Sequence, residues 1–366
     1  EYIATQLFGF GLRSSAPLDL DTVRRLPEAV AWKFGVEHGK ELARGLGKVA
    51  TRRPFTSLGI VLLVAVLAAV RGRISRALES IDSRIRRTTT DRYGHTARAM
   101  LWTALLAVPA PILLGYVGWA LAGLPSLSDW MWGLTAGLQR AAWILLAASL
   151  ASAVALPAGL GVAHFGWSRK TMGRLRVAVF RTVVVYIPAF VLTLGCSFRD
   201  ASLYFDSLGR ISFLVAHLWL ALVMVRLLFP SWGRSGERDD GPNSTPVGRW
   251  RRLGAVLVVA VPLALAALLA VGYTITTIML SLGLIVTVGV AGVSAVLHGL
   301  AMRWFVMRQR KFALGEAIDR RRAQRERRSD EATQGGSEEI VAVSADGEGE
   351  PDLDSVGDQT RGLLRA

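Results

Sequence analysis

Cysteine and charged residues are scarce in this 366-residue sequence. A single cysteine excludes a disulfide scaffold and a cysteine-rich metal site. Charged residues make up 19% of the chain against 52% hydrophobic residues, whereas soluble domains usually carry about 25% charged residues. This balance argues against a soluble enzyme and indicates an integral membrane protein.

Sequence motifs of catalysis and metal binding are also missing. We find no phosphate-binding glycine loop, nucleophile elbow or HExxH motif. No two histidines have the i, i+4 spacing of a metal site; they lie at His38, His95, His164, His217 and His298. We therefore predict a protein that is not an enzyme and has no catalytic residue, metal or cofactor. His217 lies near the middle of an apolar stretch, and we predict that it is a hydrogen-bonded packing residue.

Seven apolar stretches are long enough to cross about 30 Å of hydrocarbon as helices. They are continuous runs of Leu, Ala, Val and Ile, which favour helices over the alternating strands of a barrel. The predicted fold is all-α, a polytopic bundle of about seven transmembrane helices. The first stretch has only about 17 residues, so a re-entrant or interfacial segment stays open there. The stretches are Pro54–Val70, Ala99–Leu121, Gln139–Ala163, Val177–Ser197, Ile211–Phe229, Gly254–Gly272 and Thr274–Met302.

Basic residues alternate between the loops that join these stretches. Residues 71–98, 164–176 and 230–252 hold eight, four and five Lys or Arg, while residues 122–138 hold none. Residues 198–210 hold two, offset by two Asp. By the positive-inside rule, the N-terminal side is predicted to be periplasmic and the C-terminal side cytoplasmic. The formal net charge of +15 then reflects attraction to anionic lipid headgroups, and membrane lipids rather than nucleic acid are the predicted partner.

The chain divides into five predicted regions. Residues 1–53 form the end of an external region with membrane-surface helices, and residues 54–302 form the seven-helix transmembrane domain. Residues 303–328 hold ten Lys or Arg and are predicted to form a basic cytoplasmic helix. Residues 329–353 are rich in acids and glycine, which is typical of a disordered linker. Residues 354–366 begin a further helix.

Acidic residues are absent from all seven predicted stretches. Because ion-coupled transporters usually place ionisable groups in the membrane, this absence weakens a secondary transporter or permease. That class and a non-transporting membrane scaffold stay open as alternatives. Three arginines lie within the stretches, near their predicted ends, at Arg140, Arg181 and Arg226. We predict that they snorkel to the headgroups.

Several motifs then resemble one family, in order and in spacing. The series comprises Gly272, Tyr273 and Thr277, then Arg303-Trp304, then Arg310-Lys311, and finally Gln359 in the segment 354–365. Further segments are His164-Phe165-Gly166-Trp167 and Leu208-Gly209-Arg210. Over roughly residues 50–366 the chain resembles the large multi-domain bacterial mechanosensitive channels of the MscS superfamily, of the potassium-dependent and miniconductance type.

The resemblance implies a homoheptameric channel in the bacterial inner membrane that opens under bilayer tension and protects against hypoosmotic shock. It also implies that this chain is the tension-sensing membrane domain, a fragment that lacks the pore helix and the vestibule. The predicted sensor consists of apolar faces and of basic residues at the lipid boundary, namely Arg71, Arg73, Arg76, Arg181 and Arg226.

Overall fold

Every regular element in the described part of the chain is helical. A computed structural model describes residues 16–85, 93–196, 205–229 and 246–334. Three helices, α1–α3, precede Pro54, and eight further helices, α4–α11, follow in the described part of the chain. Their bounds are α1 Leu20–Arg24, α2 Leu26–Lys33, α3 Val36–Arg52, α4 Pro54–Ile85, α5 Tyr93–Ala107, α6 Pro109–Ala122, α7 Asp129–Val154, α8 Arg169–Gly195, α9 Arg210–Leu228, α10 Pro246–Val271 and α11 Thr274–Gln334. Two π-helical turns, Leu160–His164 and Phe205–Gly209, precede α8 and α9.

Six of these helices are long and apolar enough to cross a membrane singly. They are α4, α7, α8, α9 with its preceding π-helical turn, α10 and α11. Helices α5 and α6 pass the same test only as a pair, bent by 47°. Counting the pair as one gives seven candidate spans, so the prediction of an all-helical chain with about seven spans is confirmed. Prolines 109 and 111 explain the bend, because each lacks a backbone N–H for the helical ladder.

The first candidate span is a single uninterrupted helix. Helix α4 runs for 32 residues, and residues Pro54–Ile81 pass the span test. The predicted stretch ended at Val70 because Arg71 follows it. Arginine is a good helix former, and the helix continues through Arg71, Arg73 and Arg76. The long unbroken helix favours a span over a re-entrant segment.

The third span lies ten residues earlier than predicted. Helix α7 covers Asp129–Val154 rather than Gln139–Ala163. Ser128 caps its start, since the Ser128 hydroxyl accepts a hydrogen bond from the Met131 amide at 3.2 Å. The helix ends at Val154, shortly before Pro157. Arg140 therefore lies eleven residues inside the helix instead of at its outer end.

With the observed bounds, three acids fall within candidate spans. They are Glu79, Asp129 and Asp206, and each lies within two residues of the end of its span. The prediction of carboxylate-free stretches therefore holds for the interiors of the candidate spans but not for their ends.

The described chain divides into two compact units within α11. The first unit ends at Val296 and the second begins at Leu297.

A cluster of aromatic and aliphatic side chains in the first unit joins α8, α9, α10 and the start of α11. It contains Tyr186, Phe190, Phe213, Leu269 and Ile278. The Phe190 and Phe213 side chains are fully buried.

Helix α7 packs closely against α8 through glycine. A Cβ atom added at Gly133 would lie 2.8 Å from the Gly195 backbone, and one at Gly137 would lie 3.2 Å from the Val191 Cα. Such distances require small residues, as is common where membrane helices approach closely.

Helices α2 and α3 lie against this bundle. Val49 of α3 packs in a cluster with Leu121, Trp130 and Met131. Ala29 of α2 packs with Cys196 and Leu208. The residues before Pro54 that the structure describes are thus attached to the bundle by apolar contacts.

Candidate functional site

Arg210 is the most deeply buried charged residue that the structure describes, with 1% of its surface exposed. Its guanidinium donates three hydrogen bonds to backbone carbonyls. Nε donates to Leu269 at 2.7 Å, Nη2 to Ala270 at 2.9 Å and Nη1 to Ala16 at 2.7 Å. The Leu18 amide also donates to the Ala270 carbonyl, at 3.0 Å. One side chain thus ties the start of α9 to the end of α10 and to residues 16–18.

The Arg210 guanidinium lies at the C-terminus of α10, where a positive charge is favourable. Leu269 and Ala270 belong to the last turn of α10, where helical carbonyls lack intrahelical donors and the helix dipole favours a positive group. The planar guanidinium presents several donors at once, so it can satisfy carbonyls from two chain segments together.

The turn after α10 depends on a glycine. Gly272 has φ of 112°, a conformation that side chains with a Cβ rarely adopt. The Gly272 amide donates to Leu269 and the Tyr273 amide to Leu268, at 3.2 and 2.9 Å. This is the Schellman arrangement that ends helices at glycine, and it lets α11 begin at Thr274.

Buried hydroxyl groups continue the network into α11. Thr274 and Thr277 are fully buried, and Ser281 is 1% exposed. The Thr277 hydroxyl donates to the Tyr273 carbonyl at 2.8 Å, and the Ser281 hydroxyl donates to the Thr277 carbonyl. The motif residues Gly272, Tyr273 and Thr277 therefore meet at one place, the first turn of α11.

His217 joins this network from α9. Its side chain is 1% exposed. One ring nitrogen lies 2.8 Å from the Phe213 carbonyl and the other 2.9 Å from the Ser281 hydroxyl. The prediction of a hydrogen-bonded packing histidine is confirmed.

A second buried cation lies at the end of α8. Lys33 of α2 is 4% exposed, and its Nζ donates to the Gly195 carbonyl at 3.2 Å. The ammonium also lies 5.2 Å from the centre of the Trp130 ring, within range of a cation–π interaction. Burial lowers the pKa of Lys33. Each of two helix C-termini thus has a buried basic side chain at its carbonyls.

The other predicted site residues do not join this cluster. Arg303 and Trp304 lie on the part of α11 in the second unit, where the Arg308 guanidinium lies 4.9 Å from the centre of the Trp304 ring. Arg310 and Lys311 follow on the same helix. Gln359 lies outside the described residues, as does the region 354–366.

The basic residues predicted at the lipid boundary are exposed side chains on three different helices. Arg71, Arg73 and Arg76 lie on α4, Arg181 lies on α8, and Arg226 lies near the end of α9. The Arg181 carbonyl accepts a hydrogen bond from the Trp219 indole at 2.9 Å. These positions are compatible with contact to headgroups.

Sequence reasoning missed Arg210 and Lys33 as buried residues. Arg210 was counted among the loop cations, although the Leu208-Gly209-Arg210 motif pointed to it. The signal available for Lys33 was its place between Trp32 and Phe34 in a short amphipathic segment. The Ser281 hydroxyl beside His217 is buried and donates its hydrogen bond to the Thr277 carbonyl, and the described residues hold no group of three metal-ligating side chains. The chemistry of the cluster is that of a structural clamp.

Comparison with known proteins establishes the family of the membrane domain that contains these buried cations. The family described as mechanosensitive ion channel inner membrane domain 1, of the MscS type, matches residues 54–366. The chain belongs to this family. It is therefore an inner-membrane domain of a channel family, as the motif series predicted.

Individual relatives agree with the family. The miniconductance mechanosensitive channel MscM of Escherichia coli is 27% identical over 84% of this chain and 28% of its own length. An uncharacterised MscS family protein of Haemophilus influenzae is 25% identical over 74% of the chain and 24% of its own length. The mechanosensitive channel MscK of Escherichia coli is 21% identical over 85% and 27%. The chain thus spans about a quarter of the length of these relatives. No solved structure is significantly similar to it.

The turn glycine gives a first prediction for this inner-membrane domain. Replacing Gly272 with alanine puts a Cβ on a residue with φ of 112°, which costs about 1–3 kcal/mol. We expect a lower thermal unfolding midpoint in detergent. Gly254→Ala is the matched control on α10, since a Cβ there meets nothing within 4 Å. Equal midpoints for the two variants would show that the turn does not need glycine.

Proposed function

We propose that this domain senses bilayer tension for a mechanosensitive channel that protects the cell against hypoosmotic shock. Conduction is carried by a channel module outside these 366 residues, and the complete protein assembles as a homoheptamer. The N-terminal side of the domain faces the periplasm and the C-terminal side faces the cytoplasm. The observation that carries the proposal is the family match over residues 54–366. The two named Escherichia coli relatives are both called mechanosensitive channels.

The surface of α4 supports a role in sensing lipid. None of its apolar window is buried, and its first three turns expose large side chains such as Phe55, Leu58 and Leu62 at 88%, 67% and 60%. A helix with so much apolar surface is stable only against lipid or other protein. Tension acts on such a surface through the change in protein area between closed and open states.

The start of α11 offers a surface to the rest of a channel. Cβ atoms added at Gly283, Gly289 and Gly292 meet nothing within 4 Å in the described part of the chain, and Val286, Val288 and Val290 are more than half exposed. Small residues beside exposed valines suit close contact with another membrane helix. A channel module or a neighbouring copy of the chain can occupy this face.

The clamp at Arg210 supports the same function by making part of the bundle stiff. The Arg210 hydrogen bonds link the end of α10 to the start of α9. We therefore expect the two helices to move together when a force acts on either one. We expect the exposed helix α4 to follow the bilayer and the clamped helices to transmit its displacement.

The arginines of α4 provide the test. Each Arg near an anionic leaflet contributes about 1 kcal/mol of attraction, so Arg71, Arg73 and Arg76 anchor the end of α4 to the headgroups. In the complete protein, the triple Gln variant should need a higher membrane tension to open, because an unanchored helix tilts instead of moving with the bilayer. Patch-clamp recording of the opening threshold, relative to a co-expressed reference channel, measures this shift.

Two controls belong to that experiment. Triple Lys substitution at the same positions keeps the charge and should keep the wild-type threshold. Triple Gln substitution at the exposed Arg320, Arg321 and Arg322 removes the same charge from α11 beyond its candidate span, which ends at Gln309. An unchanged threshold in the α4 variant, or an equal shift in the α11 variant, contradicts a sensing role for the α4 arginines.

A further inference from the structure

Arg140 lies deep within a candidate membrane span. It is eleven residues after the first residue of α7, Asp129, and fourteen before the last, Val154. At the helical rise this places its Cα about 16 Å along the axis from Asp129. A cation at that depth is costly in hydrocarbon and is usually compensated by a specific partner.

Among the described residues, the helices that pack along α7 supply no carboxylate at that depth. Helices α5, α6 and α8 pack against α7, and none of the three contains Asp or Glu. Within α7 itself the only acid is Asp129 at its start. A second copy of the chain cannot supply one from its described spans either, since their acids lie within two residues of a span end.

Arg140 lines an open cavity of about 330 Å³. Apart from the last residue of α6, its lining lies on one face of α7, at positions spaced by three or four residues. That face includes Trp132, Thr135, Gln139, Arg140 and Trp143. The Gln139 amide donates to the Gly118 carbonyl at 3.2 Å, which holds this side chain at the wall of the cavity.

Two tryptophans bracket the arginine along this face. Trp132 and Trp143 are 46% and 74% exposed, and they lie eight residues before Arg140 and three after it. Trp132 lies three residues from the start of α7, and exposed Trp is typical of such a headgroup position, where the ring packs against glycerol and upper acyl carbons. Trp143 lies near the middle of α7, where its exposed ring can pack against acyl chains. Their positions mark a place where a lipid can lie along α7.

We propose that this face binds a membrane glycerophospholipid, with its phosphodiester on the Arg140 guanidinium, its headgroup on the Trp132 side and its acyl chains beside Trp143. Arginine binds phosphate oxygens through two parallel charge-assisted hydrogen bonds. The lipid phosphate supplies the anion that the neighbouring helices lack. Because the headgroup is drawn toward Arg140, the leaflet is locally thinned at the Asp129 end of α7.

Photo-labelling tests this site. The complete protein is placed in nanodiscs of phosphatidylethanolamine and phosphatidylglycerol that contain phosphatidylglycerol with a diazirine on one acyl chain. After illumination, mass spectrometry quantifies label on the α7 peptides that contain Trp143. We expect strong labelling of the wild type and a loss of about tenfold in Arg140→Gln, as for one charge-assisted interaction. Arg140→Lys should keep part of the label.

The controls distinguish binding of the lipid phosphate by Arg140 from non-specific contact between α7 and acyl chains. Arg226→Gln removes an exposed arginine from α9 and should leave the α7 label unchanged. Diazirine diacylglycerol, which has no phosphate, should label the same peptides equally in wild type and Arg140→Gln. Equal phosphatidylglycerol labelling of wild type and Arg140→Gln overturns the proposal. So does crosslinking of this face of α7 to a second copy of the chain without lipid label.

Discussion

Arg210→Leu should be the most destabilising single substitution that we propose. It leaves the carbonyls of Leu269, Ala270 and Ala16 without the donors that reach them at 2.7–2.9 Å. The Leu269 and Ala270 carbonyls keep backbone donors from Gly272 and Leu18, so the loss is that of three hydrogen bonds. At a net contribution of about 1–1.5 kcal/mol each, we expect a total loss of about 3–5 kcal/mol. In chains of about 150–250 residues such a loss lowers the thermal midpoint by roughly 6–20 °C, and we expect a fall toward the lower end of that range for this longer chain.

The measurement is the unfolding midpoint of the purified protein in detergent. Arg226→Leu is the control, because it removes an exposed arginine from the other end of the same helix, α9. Arg210→Lys should fall between wild type and Arg210→Leu, since an ammonium keeps the charge at the end of α10 but cannot reach three carbonyls as a fork does. If Arg210→Leu and Arg226→Leu melt together, the clamp does not stabilise the fold.

The second large effect concerns the contact between α7 and α8. In Gly133→Ala the new methyl group would lie 2.8 Å from the Cα and the carbonyl oxygen of Gly195. Backbone cannot move aside as a side chain can, so the two helices must separate. Overpacking of this kind costs about 1–3 kcal/mol. It also shifts Gly195, whose carbonyl accepts the hydrogen bond from Lys33.

A matched glycine on α8 isolates this effect. A Cβ at Gly173 meets nothing within 4 Å, and alanine is the better helix former by up to about 1 kcal/mol. We therefore expect Gly173→Ala to melt at or above the wild-type midpoint and Gly133→Ala well below it. A Gly133→Ala variant as stable as Gly173→Ala would mean that α7 and α8 do not approach as closely as described.

The sequence predicted the spans well where apolar runs end at turn signals. Gly272 lies between two such runs, and its conformation alone separates α10 from α11. The edges of α7 were wrong because Gln139 and Arg140 resemble a polar boundary. The start of the helix is instead fixed by a capping hydroxyl at Ser128, a local signal that an apolar-run criterion does not weigh.

The sequence predicted the motif residues of the candidate site but not its buried arginine. Motif residues Gly272, Tyr273 and Thr277 were identified from the resemblance, and they lie together because they are close in sequence. Arg210 contacts carbonyls about sixty residues later in the chain and about two hundred earlier. Counting basic residues in loops assumes that each is solvated, and that assumption is wrong for an arginine whose partners come from distant segments.

Tension-clamp recording on the complete protein tests the proposed function most directly. The protein is expressed in cells that lack their own mechanosensitive channels, and patches are stretched by graded suction while surface expression is verified. We predict discrete currents that begin at a reproducible tension and rise steeply with it. A protein that is present in the membrane but passes no tension-dependent current up to patch rupture would contradict a tension-sensing role for this domain.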